Sequence, residues 1–223
     1  METYSTEEEQ LEALRRWWNE NGKSIIVGVV LAIACSAGWQ FWQKHNQQQR
    51  EGASLIYQKL LQAEGTASAE QQAASAQQLI DQYPGSSYAR FAAMYLARLA
   101  VEADQLGEAQ RHLRWVLTNS PTDDERDVAQ LRLARVQAAA GDYDAALKVL
   151  SNDKSASYAA SYAIAEGDTL MMAGRKDEAR QAYEKARLLI EQEEGGQVPA
   201  LLQQKLDRLN PVPARTVSDT AGA

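Results

Sequence analysis

Scarcity marks this sequence before any motif does. Its single cysteine, Cys35, has no partner within the chain, so no intramolecular disulfide is expected and nothing is said about redox compartment. Histidine occurs only at His45 and His112, and neither stands at metal-ligand spacing with another His, Cys or acid. Glycine-rich phosphate loops and nucleophile motifs are missing too, so neither a cofactor nor an enzymatic activity is expected. Strand signals, meaning alternating Val, Ile and Thr runs between turn residues, are absent, while Ala and Gln are abundant; an all-α protein follows. Basic residues are outnumbered, 23 against 30 acidic, for a net charge of -7. That balance carries no footprint for nucleic acid, and it would not draw the soluble part to anionic lipid. Three acids in a row within "TDDER" from Thr122 suggest a cation site at first sight, but acids in a first helical turn complement the helix dipole.

Against this background the stretch "NGKSIIVGVVLAIACSAGWQFWQKHNQ", residues 21 to 47, stands out. From Ile25 to Trp42 runs a segment of about 18 residues without charge, which at about 1.5 Å per residue covers the hydrocarbon core of a bilayer. It is apolar or weakly polar around its whole circumference, where a soluble helix keeps one wet face. Lys23 precedes it, and Trp39, Phe41 and Trp42 close it just before Gln43, Lys44 and His45, as suits a membrane boundary. The rival is lipidation at Cys35, since "LAIAC" loosely resembles a lipobox. Six acids upstream, the apolar continuation "SAGWQFW" and Ala32 at the third position before the cysteine all weigh against it. A transmembrane helix over residues 23–43, in contact with membrane lipid, is the reading adopted. Arg15, Arg16 and Lys23 before the span against Lys44 and Arg50 after it narrowly favour a cytoplasmic N-terminus.

The flanks read as helix. Residues 1–22 form an amphipathic segment in which Ser5 or Thr6 caps with Glu8 or Glu9, and Leu11, Leu14, Trp17 and Trp18 share a face. That face either lies on the cytoplasmic leaflet or meets a cytoplasmic partner, or simply anchors the span. Beyond a Gln-rich neck, Ala53, Ile56, Tyr57, Leu60 and Leu61 recur at helical spacing, a break follows at Glu64 to Ala67, and Ser68 with Gln71 caps a second helix. Its stripe is Ala73, Ala76, Leu79, Ile80 and Tyr83, so residues 50–83 predict a helical hairpin.

The hairpin pattern recurs over 95–121, 131–150 and 165–187. These segments align on Ala97, Ala134 and Gly167, and again on Ala109, Ala146 and Ala179, with steps of 37 and then 33 residues. A period of that size, small residues 12 apart, and "GDYDAA" from Gly141 to Ala146 resemble the tetratricopeptide repeat. Pro121 ends a second helix, and Thr122 with Glu125 forms a capping box for the next. Gln137 and Glu166 depart from the pattern at positions usually apolar. After Gly195 and Gly196, Leu201, Leu202, Leu206 and Leu209 supply a last helix that caps the stack. The repeat domain is placed at 44–210 and a disordered tail at 211–223.

Stacked hairpins build a concave face from their first helices, and such faces bind peptides. Register places Phe91, Met94, Arg98 and Val101, then Val128, Leu131 and Arg135, then Ile164 and Met171 on that face. Apolar positions with adaptable Met and spaced Arg suit a tolerant grip on apolar chain segments, although each is also a candidate core residue. Within the span, Gly28, Ala32 and Ser36 recur every four residues and suit packing against another membrane helix.

The block "EEEQLEALRRWWNENGKSIIVGVVLA" at 7–32, followed by a divergent repeat domain, resembles the YfgM family, ancillary subunits of the bacterial SecYEG translocon. The resemblance covers nearly the whole chain. It implies a single-pass protein of the bacterial inner membrane with its C-terminal domain in the periplasm. It further implies association with SecYEG and the membrane-bound chaperone PpiD, help for secreted client proteins, and a regulatory contact between the N-terminal segment and a cytoplasmic response regulator. The leading expectation is a non-enzymatic adaptor at the translocon. A regulator acting through its N-terminal segment is the alternative, and an envelope-assembly scaffold unrelated to secretion a third.

Overall fold

The computed structural model describes residues 7–63, 67–152, 154–193 and 195–209. Among them all regular structure is helical: α1 (Glu7–Gln62), α2 (Ala69–Gln82), α3 (Ser87–Glu102), α4 (Leu106–Asn119), α5 (Asp123–Ala139), α6 (Tyr143–Leu150), a 3-10 turn at Ala156–Tyr158, α7 (Ala159–Met172), α8 (Lys176–Gln192) and α9 (Ala200–Leu209). The chain divides into two compact units, Met1–Gly52 and Ala53–Ala223. The caps expected of Ser5 and Thr6, and the tail at 211–223, lie outside the described residues.

In the first unit, the described part of the amphipathic segment, the span and the neck lie on one uninterrupted helix, α1. No proline occurs before Pro84, and Gln, Lys, Arg and Ala sustain a helix wherever nothing stops it. The apolar stretch lies in the helical segment Ile26–Gln62, long and apolar enough to cross a membrane, and no part of its apolar window is buried by protein. Ile26, Val27, Val29, Val30, Leu31 and Ile33 are all more than half exposed. Nearer the N-terminus, the Trp18 ring lies against Gly22, where an added Cβ would stand 3.2 Å from it.

The second unit opens with the end of α1, where Ala53 and Leu60 are fully buried against α2 and α3. Ser68 and Gln71 exchange both bonds of the capping box, as the spacing predicts. Gln72 secures the preceding turn by donating to the carbonyls of Ala63 and Ala67 at 3.2 and 3.0 Å. The three repeats are α3 with α4, α5 with α6, and α7 with α8. Each turns on one left-handed residue at an equivalent position: Asp104, Gly141 and Gly174, with φ of 56, 85 and 77°. Each turn carries the same bond, from the next residue's N–H back to Ala100, Gln137 or Leu170, at 2.7, 2.9 and 2.8 Å.

The aligned small residues are buried where paired helices approach. Gly167 shows the reason most directly, since an added Cβ would stand 2.5 Å from the Tyr183 ring. In the other two repeats the positions equivalent to Gly167 and Tyr183 hold Ala97 with Leu113 and Ala134 with Leu150. The third repeat therefore exchanges an Ala and Leu pair for a Gly and Tyr pair, a local conservation of volume. Gln137 is buried with its Oε1 unpaired. At the end of the stack Leu202 and Leu206 of α9 join Ala163, Leu170 and Ala179 in one cluster, and Leu209 packs beside it, whereas Leu201 faces outward.

Candidate functional site

The first helices of the first two repeats stand one period apart, so Phe91 of α3 corresponds to Val128 of α5 and Arg98 to Arg135. Between these helices lies a groove of about 480 Å³. Tyr57 from the end of α1, Phe91, Met94 and Val128 form its apolar wall, and Tyr158 of the 3-10 turn also lines it. Tyr95, Arg98 and Arg132 lie along it, with Asp124 and Glu125 at the start of α5. The aromatic end is packed in its own right: Tyr57 meets Tyr88 at 5.3 Å and Phe91 at 6.1 Å between ring centroids, tilted by about 40°.

Four of the nine residues that register placed on the inner face, Phe91, Met94, Arg98 and Val128, therefore line one groove. Val101 and Arg135 are exposed on the same helices but outside it. Leu131 belongs to the core between α5, α6 and α7, only 6% exposed. Ile164 and Met171 are half-buried against the cluster that includes Leu202 and Leu206 of α9. Tyr57, Tyr95, Arg132, Asp124, Glu125 and Tyr158 are groove residues that register did not select. Tyr57 comes from the atypical leading hairpin and Tyr158 from a connection outside the periodic pattern, so no repeat signal points to them. Gly28, Ala32 and Ser36 are exposed along one face of α1, and a Cβ at Gly28 would meet nothing within 4 Å.

Two buried polar systems position the groove. Arg90, at the base of α3, donates through Nε to Glu125 Oε2 at 2.7 Å and through Nη2 to Glu125 Oε1 at 3.2 Å. The same guanidinium reaches the Ser86 carbonyl at 3.1 Å and Ser87 Oγ at 3.1 Å. The capping box expected at Thr122 is consequently half made: Thr122 accepts from the Glu125 N–H, but the Glu125 carboxylate is engaged by Arg90. Asp127, 2% exposed, accepts from the Ser155 N–H at 3.0 Å, from the Ser155 hydroxyl, and from the Tyr162 hydroxyl at 2.9 Å. Burial, reinforced by the bond to Asp127, raises the Tyr162 pKa above the usual phenol range, so it stays a neutral donor. Asp127 thereby holds the connection that carries Tyr158. Tyr95, also in the groove lining, donates its hydroxyl to Gln72.

Among the described residues no group of three or more His, Cys, Asp or Glu is placed to hold a metal ion. The groove combines aromatic and apolar surface with guanidinium groups.

Fold and groove together define a tetratricopeptide-repeat-like helical scaffold following one apolar helix of membrane-spanning length. Residues 15–211 match the family model described as "Tetratricopeptide repeat-like domain". The chain is 34% identical over 184 residues to the "Ancillary SecYEG translocon subunit" of Escherichia coli, covering 82% of this chain and 88% of that one. It is 35% identical over 187 residues to the protein of the same name in Haemophilus influenzae, covering 82% and 90%. The Neisseria gonorrhoeae protein of that name is 27% identical over 210 residues, covering 94% and 100%. The chain belongs to the YfgM family of ancillary SecYEG translocon subunits. By name these relatives are accessory subunits and not enzymes.

Proposed function

We propose that this chain is a non-enzymatic adaptor of the bacterial inner membrane that sits at the SecYEG translocon and binds a PpiD-like periplasmic chaperone or emerging secreted chains through its repeat domain. The observation that carries this reading is the groove itself, an apolar and partly aromatic wall between two first helices. Such a surface grips extended apolar segments, and tethering raises its effective concentration at the pore so that modest affinity suffices. Membrane placement is supported by α1, whose uncovered apolar surface needs a lipid environment. The uncharged run from Ile25 to Trp42 is about 27 Å of helix, which would set Trp39 and Trp42 at one interface. A cytoplasmic N-terminus and a periplasmic repeat domain are the orientation supported by the excess of Arg15, Arg16 and Lys23 before the span over Lys44 and Arg50 after it.

Photo-cross-linking from positions 91 and 128 of the full chain in native membranes tests the reading. Adducts to translocon subunits, a periplasmic chaperone or secreted chains are expected. Adducts to none of these, or a repeat domain that resists added protease once the outer envelope is opened because it faces the cytoplasm, would end it. A second reading, control of a cytoplasmic response protein, is favoured by Leu11, Leu14, Trp17 and Trp18, each at least half exposed. Deleting residues 2–20 separates the two: translocon association survives under the first, whereas regulation disappears under the second.

A further inference from the structure

The chemistry of the groove changes along its length. Phe91 of α3 and Val128 of α5 hold equivalent positions in successive repeats, and both line it. Asp124 stands one turn before Val128, at the end that also holds Phe91 and Tyr57. The guanidinium groups belong further along: Arg98 is seven residues beyond Phe91, and Arg132 eight beyond Asp124. Those steps are about 10 and 12 Å of helix, longer than the screening length of about 8 Å at physiological ionic strength. Both arginines are exposed, so they act only weakly on the aromatic end.

Three acids open α5, and two of them are taken. Glu125 is held by Arg90, and Asp123 pairs with Arg126. Asp124 is exposed, and among the described residues its carboxylate makes no ion pair or hydrogen bond. Its place in a first helical turn complements the dipole of α5, and its exposure leaves the carboxylate open to a partner from outside. The rings of Tyr57 and Phe91, at the same end, have centroids 6.1 Å apart. Aromatic faces carry negative charge density, so rings and carboxylate there attract one kind of group, a cation.

We propose that the groove selects chain segments in which a lysine or arginine adjoins an apolar anchor, the anchor seated against Met94 and Val128 and the cation received by Tyr57, Phe91 and Asp124. This rests on the groove being the binding face. A neutral apolar segment gains contact area there and nothing more. A cation next to the anchor gains the ring faces and an unpaired carboxylate as well. An acidic residue in the same place meets Asp124 as a like charge, so charge complementarity sets the order of preference.

The test uses the full chain in phosphatidylcholine nanodiscs and fluorescence anisotropy with three fluorescein-labelled peptides. They share a Leu-Phe-Leu anchor and differ only in the next residue, Lys, Gln or Glu. The Lys peptide is expected to bind about fivefold more tightly than the Gln peptide, the scale of one exposed ion pair with a ring contact, and Glu is weakest. Asp124→Asn should shrink that preference, and Phe91→Leu should shrink it while the Gln peptide stays bound. Because the chain carries a net charge of -7, Asp177→Asn on α8 serves as the control, the same change of charge at a side chain 92% exposed, and should leave the preference as it is. Equal binding of the Lys and Gln peptides, both lost in Phe91→Ala, overturns the cation requirement while the groove stands. A Lys preference that Asp124→Asn and Asp177→Asn reduce alike, or that neither reduces, overturns the cation site. Failure of all three peptides to bind, or binding indifferent to Phe91→Ala, overturns the groove reading and this inference together.

Discussion

Gly167 and Tyr183 show how much one pair of side chains decides. The ring of Tyr183 occupies the space where a Cβ at position 167 would stand, and its hydroxyl donates to Asp168 at 2.7 Å, an acid that also pairs with Lys205 of α9. Gly167→Ala is expected to destabilise the repeat domain by about 1–3 kcal/mol, the usual consequence of overpacking. Adding Tyr183→Leu recreates the Ala and Leu pair of the other repeats and should recover much of the packing loss, which urea denaturation of both variants would reveal as non-additivity. His112 offers a prediction about pH. Burial first, and the nearby Arg111 second, lower its pKa from 6.5, so the unfolded chain takes up a proton more readily than the folded one. Stability from this group is therefore present above pH 6.5 and declines as pH falls below it. The thermal midpoint should fall between pH 7.5 and 5.5, and His112→Gln should fall less over that interval.

Elements are governed by their ends. The capping box of Ser68 and Gln71 supports α2 where the chain leaves α1, and Ser68→Ala should cost about 1 kcal/mol in denaturant titrations. The repeat turns carry a contrast within one molecule, since Gly141 and Gly174 adopt the left-handed conformation freely while Asp104 adopts it with a side chain. Asp104→Gly should stabilise the domain by about 0.5–1 kcal/mol, seen as a higher thermal midpoint; no change would mean that the aspartate side chain compensates locally. α1 runs unbroken through Asn21, Gly22 and Ser24, because polarity changes and isolated turn-forming residues do not end a helix that no proline interrupts.

At the scale of the whole molecule, a stack of hairpins is stable only while each end is covered. Leu202 and Leu206 of α9 are both 2% exposed and cover the last hairpin, and Lys205 ties the helix to Asp168. Removing residues 199–223 should destabilise the domain by about 3–6 kcal/mol, from two buried leucines near 2 kcal/mol each together with the uncovered partners. Hydrogen exchange should then rise first in α7 and α8, leaving α3 and α4 protected. A uniform loss of protection would instead mark the stack as a single cooperative unit.

The helical class, the apolar segment, the three repeats and their small-residue contacts were legible because each leaves a periodic or compositional trace that needs no knowledge of neighbours. Four of the ten groove residues were legible for the same reason: Phe91, Met94, Arg98 and Val128. The rest depended on contact. Leu131 packs against α6 and α7 while its neighbour Arg132 lines the groove, and Ile164 and Met171 are half-buried against the cluster that α9 completes. Tyr57 and Tyr158 became groove residues because segments far apart in the chain converge there, and Glu125 exchanged its expected capping bond for Arg90 because that guanidinium was near. Local pattern determined which helices form and which faces are apolar; only packing, in which distant residues compete for the same space and the same hydrogen bonds, decided what each face meets.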